Sequence, residues 1–117
     1  MSSRGVRLYI ADIIEAIERI PSYTRGTSAE DFVRDSKTVD AVLRNISVIG
    51  EAAVNLPEEP KVAHPEIPWQ EMIGRRNKVI HEYFGVDGEI LWKNVSEDLV
   101  FLEKEVRSLS PKIVAPS

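Results

Sequence analysis

The chain has 117 residues, 43% of them hydrophobic and 29% charged, which fits one domain with one core. It contains no cysteine, so disulfides, cysteine-ligated metals and cysteine nucleophiles are excluded. Nineteen acidic residues against fifteen basic ones give a net charge of −4, which argues against nonspecific coating of nucleic acid by the overall field. We expect a single domain over residues 1–117, with 1–5 and 111–117 loosely ordered.

The N-terminal segment lacks the pattern of a secretion signal or a membrane anchor. No basic stretch precedes an apolar run, and Asp12, Glu15 and Glu18 interrupt the only apolar stretch. We therefore expect no signal peptide and no transmembrane span, and a cytoplasmic location.

The first predicted helix runs from Val6 to Ile20 and ends before Pro21, because proline disfavours a helical conformation in the preceding residue. Glu15 and Arg19 are four residues apart and are expected to pair on its polar face. Its apolar residues recur at helical spacing, which favours one buried stripe: Leu8, Ile10, Ile13, Ile14, Ile17 and Ile20.

The second predicted helix opens at Ser28-Ala29-Glu30-Asp31, which resembles a capping box. We expect it to continue unbroken to Pro57, with an ion pair between Glu30 and Arg34 outside. Its apolar stripe keeps the helical period: Phe32, Val39, Val42, Leu43, Ile46, Ile49, Ala53 and Leu56.

Four prolines fall within residues 57–68, and we expect this proline-rich internal loop to contain no regular helix. Pro68 suits the first turn of a third helix that reaches about Tyr83. A fourth helix is expected from the N-cap Asp87 to Leu109. Four amphipathic helices can bury their stripes only against one another, so the predicted fold is an all-α antiparallel bundle of about four main helices.

Polar residues with complementary chemistry are concentrated near the end of the third helix. Asn77 and His81 are four residues apart and share a face, Arg76 lies about 100° round the helix, and Tyr83 falls near the face of Arg76. Arginine offers a planar fork for phosphate, histidine can move a proton near neutral pH, and asparagine can orient either the imidazole or a substrate oxygen. The group suits phosphodiester chemistry.

Two basic neighbours, Arg75 and Lys78, could attract RNA. Only Glu71 and Glu82 lie close to these residues in the sequence, which is too few carboxylates to hold Mg²⁺, so no metal site is expected. Because the chain has two histidines, we also expect no histidine-based metal site within one protomer.

The pattern Arg76-Asn77-x-x-x-His81-x-Tyr83 resembles the motif of HepT-like toxins in the HEPN superfamily. The resemblance extends to Ile49-Gly50-Glu51-Ala52 and to the segment that follows Tyr83. It implies a homodimeric, metal-independent endoribonuclease without a cofactor, whose catalytic residues Arg76, Asn77 and His81 meet those of a second protomer in one cleft.

The resemblance also implies a partner. HepT-like toxins of type VII-like toxin–antitoxin pairs are neutralised by a minimal nucleotidyltransferase antitoxin, which transfers AMP to the motif tyrosine. In this chain the acceptor would be Tyr83.

Two other functions fit the same residues. The chain could be a non-catalytic helical subunit that binds a nucleotidyltransferase and its nucleotide, or a purely structural dimerisation module. The acidic net charge favours these two, whereas the cluster of Arg75, Arg76 and Lys78 around His81 favours a ribonuclease.

Four further residues have simple structural interpretations. Glu51 lies in an apolar stretch and is expected to meet an arginine, either across the bundle or across the dimer interface. His64 is expected at the surface of the proline-rich loop. Trp69 and Trp92 are expected to be core or interface aromatics.

Overall fold

The computed structural model describes residues 3–81, 88–98, 103–104 and 106–107. Every secondary-structure element in these ranges is helical, and about four main helices pack together, which confirms the predicted all-α class. The elements are α1 (Ser3–Thr24), α2 (Ala29–Arg34), α3 (Ser36–Asn55), α4 (Glu58–Ala63), α5 (Trp69–His81) and α6 (Gly88–Lys93), followed by a π-helical turn over Asn94–Asp98.

Helix α3 is the centre of the fold, because its main packing partners are α1 and α5. It is buried over a wide arc that includes Val42, Ile46 and Ile49. The α1 side of the core is formed by four isoleucines that are all fully buried: Ile10, Ile13, Ile17 and Ile20. Burying these stripes against one another drives the assembly of the bundle.

Helix α1 is longer than predicted at both ends. It begins at Ser3 and continues through Pro21 to Thr24, and its last turn is closed by a 2.8 Å bond from the Arg25 N–H to the Pro21 carbonyl. Proline removes one backbone donor but does not prevent the next residues from being helical. Full burial of Ile20 holds the chain in register, so packing offsets the local preference that predicted an end before Pro21.

The predicted second helix is two helices, and its unbroken course was a wrong prediction. Ser28 caps α2 as expected, because its hydroxyl accepts a 3.1 Å bond from the Asp31 N–H. The helix is interrupted at Asp35, which is the N-cap of α3. Its carboxylate accepts hydrogen bonds of 3.2 Å and 2.7 Å from the N–H and the hydroxyl of Thr38. The Thr38 hydroxyl and backbone bonds lower the pKa of Asp35 below its usual value.

The proline-rich segment contains a helix, contrary to prediction. Helix α4 follows the cap residue Pro57 and carries Pro60 in its first turn, where a missing N–H costs no intrahelical bond. The loop then returns to α5, and the indole of Trp69 donates a 3.0 Å bond to the carbonyl of His64. Trp69 is buried as expected, whereas the side chain of His64 is only 18% exposed and lies 3.4 Å from Glu66.

The fourth predicted helix is described in part. α6 gives way to the π-helical turn over Asn94–Asp98, and the ion pair between Glu103 and Arg107 has the expected spacing, at 3.4 Å. Arg107 also pairs with Glu18 of α1. The predicted cap Asp87 and the predicted end near Leu109 lie outside the described residues.

Helices α2 and α6 pack against each other. The rings of Phe32 and Trp92 are tilted, with centroids 5.2 Å apart, and the half-buried Trp92 packs against the core. A Cβ at Gly88 would lie 2.8 Å from a methyl group of Val33, so the two short helices approach closely. None of the helices in the described ranges is long and apolar enough to cross a membrane.

Candidate active site

Helix α5 places the polar run of the sequence on the rim of the bundle. Its buried face carries Trp69 and Met72, which face the core. Arg76 comes one turn after Met72 and is half-buried, and Asn77 beside it is half-buried as well. Both side chains therefore belong to the edge between the core and the solvent.

Arg76 has two described partners, one on each terminal nitrogen. Its Nη1 donates a 2.6 Å hydrogen bond to Oδ1 of Asn77. Its Nη2 donates a 2.6 Å hydrogen bond to Oε2 of Glu51 on α3. Charge-assisted bonds of this length are the strong ones, so the guanidinium is held from its own helix and from the neighbouring helix.

The third nitrogen of Arg76 is enclosed. Nε is buried and has no hydrogen-bond partner among the described residues. The side chain as a whole is 25% exposed. Part of the Arg76 side chain is therefore open to solvent, whereas Nε is enclosed.

Gly50 explains why the stem of Arg76 can lie so close to α3. A Cβ at Gly50 would overlap Cβ of Arg76 and lie 2.8 Å from both Cγ of Arg76 and the carbonyl oxygen of Met72. Only glycine fits at this crossing without a shift of one helix. Helices α3 and α5 therefore approach each other closely at Gly50 and the Cβ atom of Arg76.

The expectation that Glu51 meets an arginine is confirmed, and the partner is Arg76 within the same chain. The carboxylate is not buried, however, because the Glu51 side chain is 53% exposed. Its neighbours Gly50 and Ala52 are buried. Glu51 therefore emerges from the edge of the apolar face and bends toward α5.

The remaining motif residues are described to different extents. Arg75 is half-buried and Lys78 is exposed, as expected of a surface lysine. His81 is the last residue of α5, and its side chain lies outside the described part of the structure. Tyr83 lies outside the described residues altogether.

The described arrangement can hold an anion beside an amide. Arg76 is a fixed cation that remains partly open to solvent, and guanidinium is suited to binding phosphate oxygens. Within the described ranges, no three His, Asp or Glu side chains gather as they would around a metal ion.

The contribution of α3 to this site is the part that sequence reasoning missed. The pairing of Glu51 with an arginine was expected, but not which arginine. The signal in the sequence was Gly50, because only a residue without a side chain admits the stem of Arg76 at this crossing.

Comparison with known proteins places this chain in a family. The profile of the family described as "Ribonuclease HepT-like" matches residues 13–109, a range that contains the motif. A protein of Thermococcus cleftensis named "Probable ribonuclease HepT" is 50% identical over 106 residues, covering 91% of this chain and 96% of that protein. A protein of Caldanaerobacter subterraneus subsp. tengcongensis named "Putative RNase" is 40% identical, covering 91% of this chain and 95% of that protein.

No solved structure gives a significant match to the chain. The family profile and the two relatives nevertheless span nearly all of the described fold. This chain therefore belongs to the HepT-like ribonuclease family.

Proposed function

We propose that this protein is a metal-independent endoribonuclease that cleaves RNA with Arg76, Asn77 and His81. The observation that carries the proposal is the half-buried guanidinium of Arg76, fixed by Glu51 and Asn77 at 2.6 Å each. A fixed cation on the helix that also carries a histidine suits phosphodiester cleavage without a metal. Membership of the HepT-like ribonuclease family supports the assignment.

Cleavage of RNA without a metal requires two proton transfers and the stabilisation of negative charge. The ribose 2′-OH must lose a proton, the leaving 5′ oxygen must gain one, and the charge that develops on the phosphorus oxygens must be stabilised. Arg76 supplies the stabilising charge and His81 a proton-transfer group. Asn77 orients the guanidinium, and Arg75 and Lys78 attract the RNA backbone.

A single chain offers only one motif histidine, so one protomer cannot supply both a histidine acid and a histidine base. We propose that two protomers form a homodimer and that their α5 helices line one cleft. The second proton-transfer group is then the partner's His81 or a water molecule.

Metal independence has a direct test. Purified protein is incubated with total RNA in excess EDTA and, in parallel, with added Mg²⁺. We expect equal cleavage in both, because Glu71 is the sole carboxylate in the described part of α5 and Glu51 is engaged by Arg76. Cleavage that is lost in EDTA and restored by Mg²⁺ would contradict the proposed chemistry.

We further propose that the protein acts in the cytoplasm as the toxin of a type VII-like toxin–antitoxin pair. Its partner would be a minimal nucleotidyltransferase that transfers AMP from ATP to the hydroxyl of Tyr83, two residues past His81, and releases pyrophosphate. The added phosphodiester would bring a negative charge and a bulky nucleoside close to the cation that receives RNA phosphate. Both effects would block the site.

The Tyr83→Phe variant tests this regulation, because it keeps the ring and removes the acceptor oxygen. The variant should inhibit growth like wild type and resist neutralisation by a co-expressed nucleotidyltransferase. Intact mass after incubation with that partner and ATP should rise by AMP units for wild type only. Equal gains on both proteins would rule out Tyr83 as the sole acceptor, and no gain on wild type would favour neutralisation by complex formation alone.

A further inference from the structure

We propose that Gly50 and Glu51 on α3 are positioning residues that form a seat for Arg76, with Gly50 receiving the stem of the side chain and Glu51 holding the guanidinium. The role of the seat in catalysis rests on the ribonuclease function proposed above. The seat itself is a property of the helix crossing and can be measured without any activity.

The stem of Arg76 is placed by shape. The space that a Cβ on Gly50 would occupy is filled by Cβ and Cγ of Arg76. An arginine side chain loses considerable rotamer freedom when it is ordered, and this contact restricts rotation about the Cα–Cβ bond. The end of the side chain reaches Glu51, the residue after Gly50.

The guanidinium of Arg76 is held by charge-assisted hydrogen bonds. Glu51 accepts from Nη2, and Asn77 accepts from Nη1, so the plane of the guanidinium is fixed by two points on two helices. Positioning of this kind raises catalytic rate because the stabilising charge is in place before the reaction begins.

The Glu51 carboxylate could instead compete with the RNA phosphate for the guanidinium of Arg76, so that RNA would have to displace it. The described contacts favour positioning. Each terminal nitrogen of a guanidinium carries two hydrogens, and Glu51 and Asn77 each engage a different nitrogen. Phosphate can therefore approach without breaking the pair. Glu51 then improves the geometry of the cation while reducing the local positive charge that attracts RNA.

This combination has a distinctive kinetic signature. Replacing Glu51 by alanine should lower the single-turnover cleavage rate about tenfold while RNA binds as tightly as before or more tightly. The Glu51→Gln variant removes the same charge but keeps an oxygen that can accept from Nη2, so its rate should lie between those of wild type and Glu51→Ala. The difference between the two variants reports positioning and not charge.

Glu15→Ala is the matched control. Glu15 forms an exposed ion pair with Arg19 on α1, so this variant loses one negative charge and one surface pair away from the motif. It should cleave and bind RNA like wild type. A Glu51→Ala variant that cleaves at the wild-type rate or faster would overturn the positioning role.

Hydrogen exchange at Nε of Arg76, followed by NMR, tests the seat independently of cleavage. This atom is buried, so its hydrogen should exchange slowly in wild type and in Glu15→Ala, and at least tenfold faster in Glu51→Ala. Equal exchange in all three proteins would overturn the seat. A wild-type protein with no ribonuclease activity would overturn the proposed function alone, and the exchange measurement would still decide the seat.

Discussion

At the scale of single residues, the site depends on how one arginine is held. Arg76 is fixed through both terminal nitrogens, by an amide on its own helix and a carboxylate on the next. The sequence motif predicts that Arg76, Asn77 and His81 lie on one helix, since this follows from helical spacing alone. It does not show that Asn77 bonds to Arg76, because residues next to each other in a helix point about 100° apart.

The bond between Asn77 and Arg76 predicts a graded loss of activity. In Asn77→Ala the guanidinium of Arg76 keeps its hydrogen bond to Glu51 but loses the one to Oδ1 of Asn77. Because a hydrogen bond to a charged group contributes about 1.5 kcal/mol or more, we expect cleavage to slow about tenfold, a smaller loss than for removal of Arg76. Single-turnover rates on one RNA would measure this. A loss as large as that of Arg76→Ala would mean that Asn77 contacts the substrate directly.

At the scale of helices, the sequence predicted which segments are helical better than it predicted where each helix begins and ends. The apolar stripes of α1 and α3 follow from periodicity, except that Leu8 is 56% exposed. The cap at Ser28 follows from its capping box. The break at Asp35 was missed because the apolar period continues across it, although Asp35 and Thr38 form a cap. Helix α4 was missed because a proline count does not distinguish a proline in a first turn from one in a helix interior.

The crossing of α3 and α5 gives a prediction about stability. In Gly50→Ala the new Cβ would overlap the stem of Arg76 and approach the backbone of Met72. Because the two helices must separate, we expect a loss of about 2 kcal/mol or more in the free energy of unfolding. Chemical denaturation followed by circular dichroism measures it.

Gly74 on α5 provides the control for this prediction. Nothing in the described chain lies within 4 Å of the position that its Cβ would take. Gly74→Ala should therefore stabilise the helix by about 0.5–1 kcal/mol, the usual difference between these residues in a helix. Equal stability of the Gly50→Ala and Gly74→Ala variants would show that the crossing is not tight.

At the scale of the whole molecule, the question is how protomers assemble. The large exposed apolar side chains are spread over five helices and leave the described part of α5 out: Leu8, Tyr23, Val33, Val54, Val62 and Ile90. Scattered apolar residues of this kind do not define an interface. The prediction of a dimer that includes α5 therefore rests on the chemistry of the site, which needs more than one proton-transfer group.

Light scattering tests the assembly over a range of protein concentrations. We expect the mass of a homodimer, about twice the 13.2 kDa of one chain, because a cleft with two motif histidines requires two protomers. A monomer mass at every concentration at which RNA is cleaved would remove the composite site. The single His81 of a monomer would then carry out one of the two proton transfers, and a water molecule the other.

We propose that RNA is cut at the site built around Arg76 and His81. Single-turnover cleavage of one defined RNA in EDTA, measured for wild type, Arg76→Ala and His81→Ala, tests it most directly. We expect both variants to lose at least about a hundredfold in rate while circular dichroism shows unchanged helix content, because both residues lie on the polar part of α5. Cleavage by either variant at the wild-type rate would contradict the account.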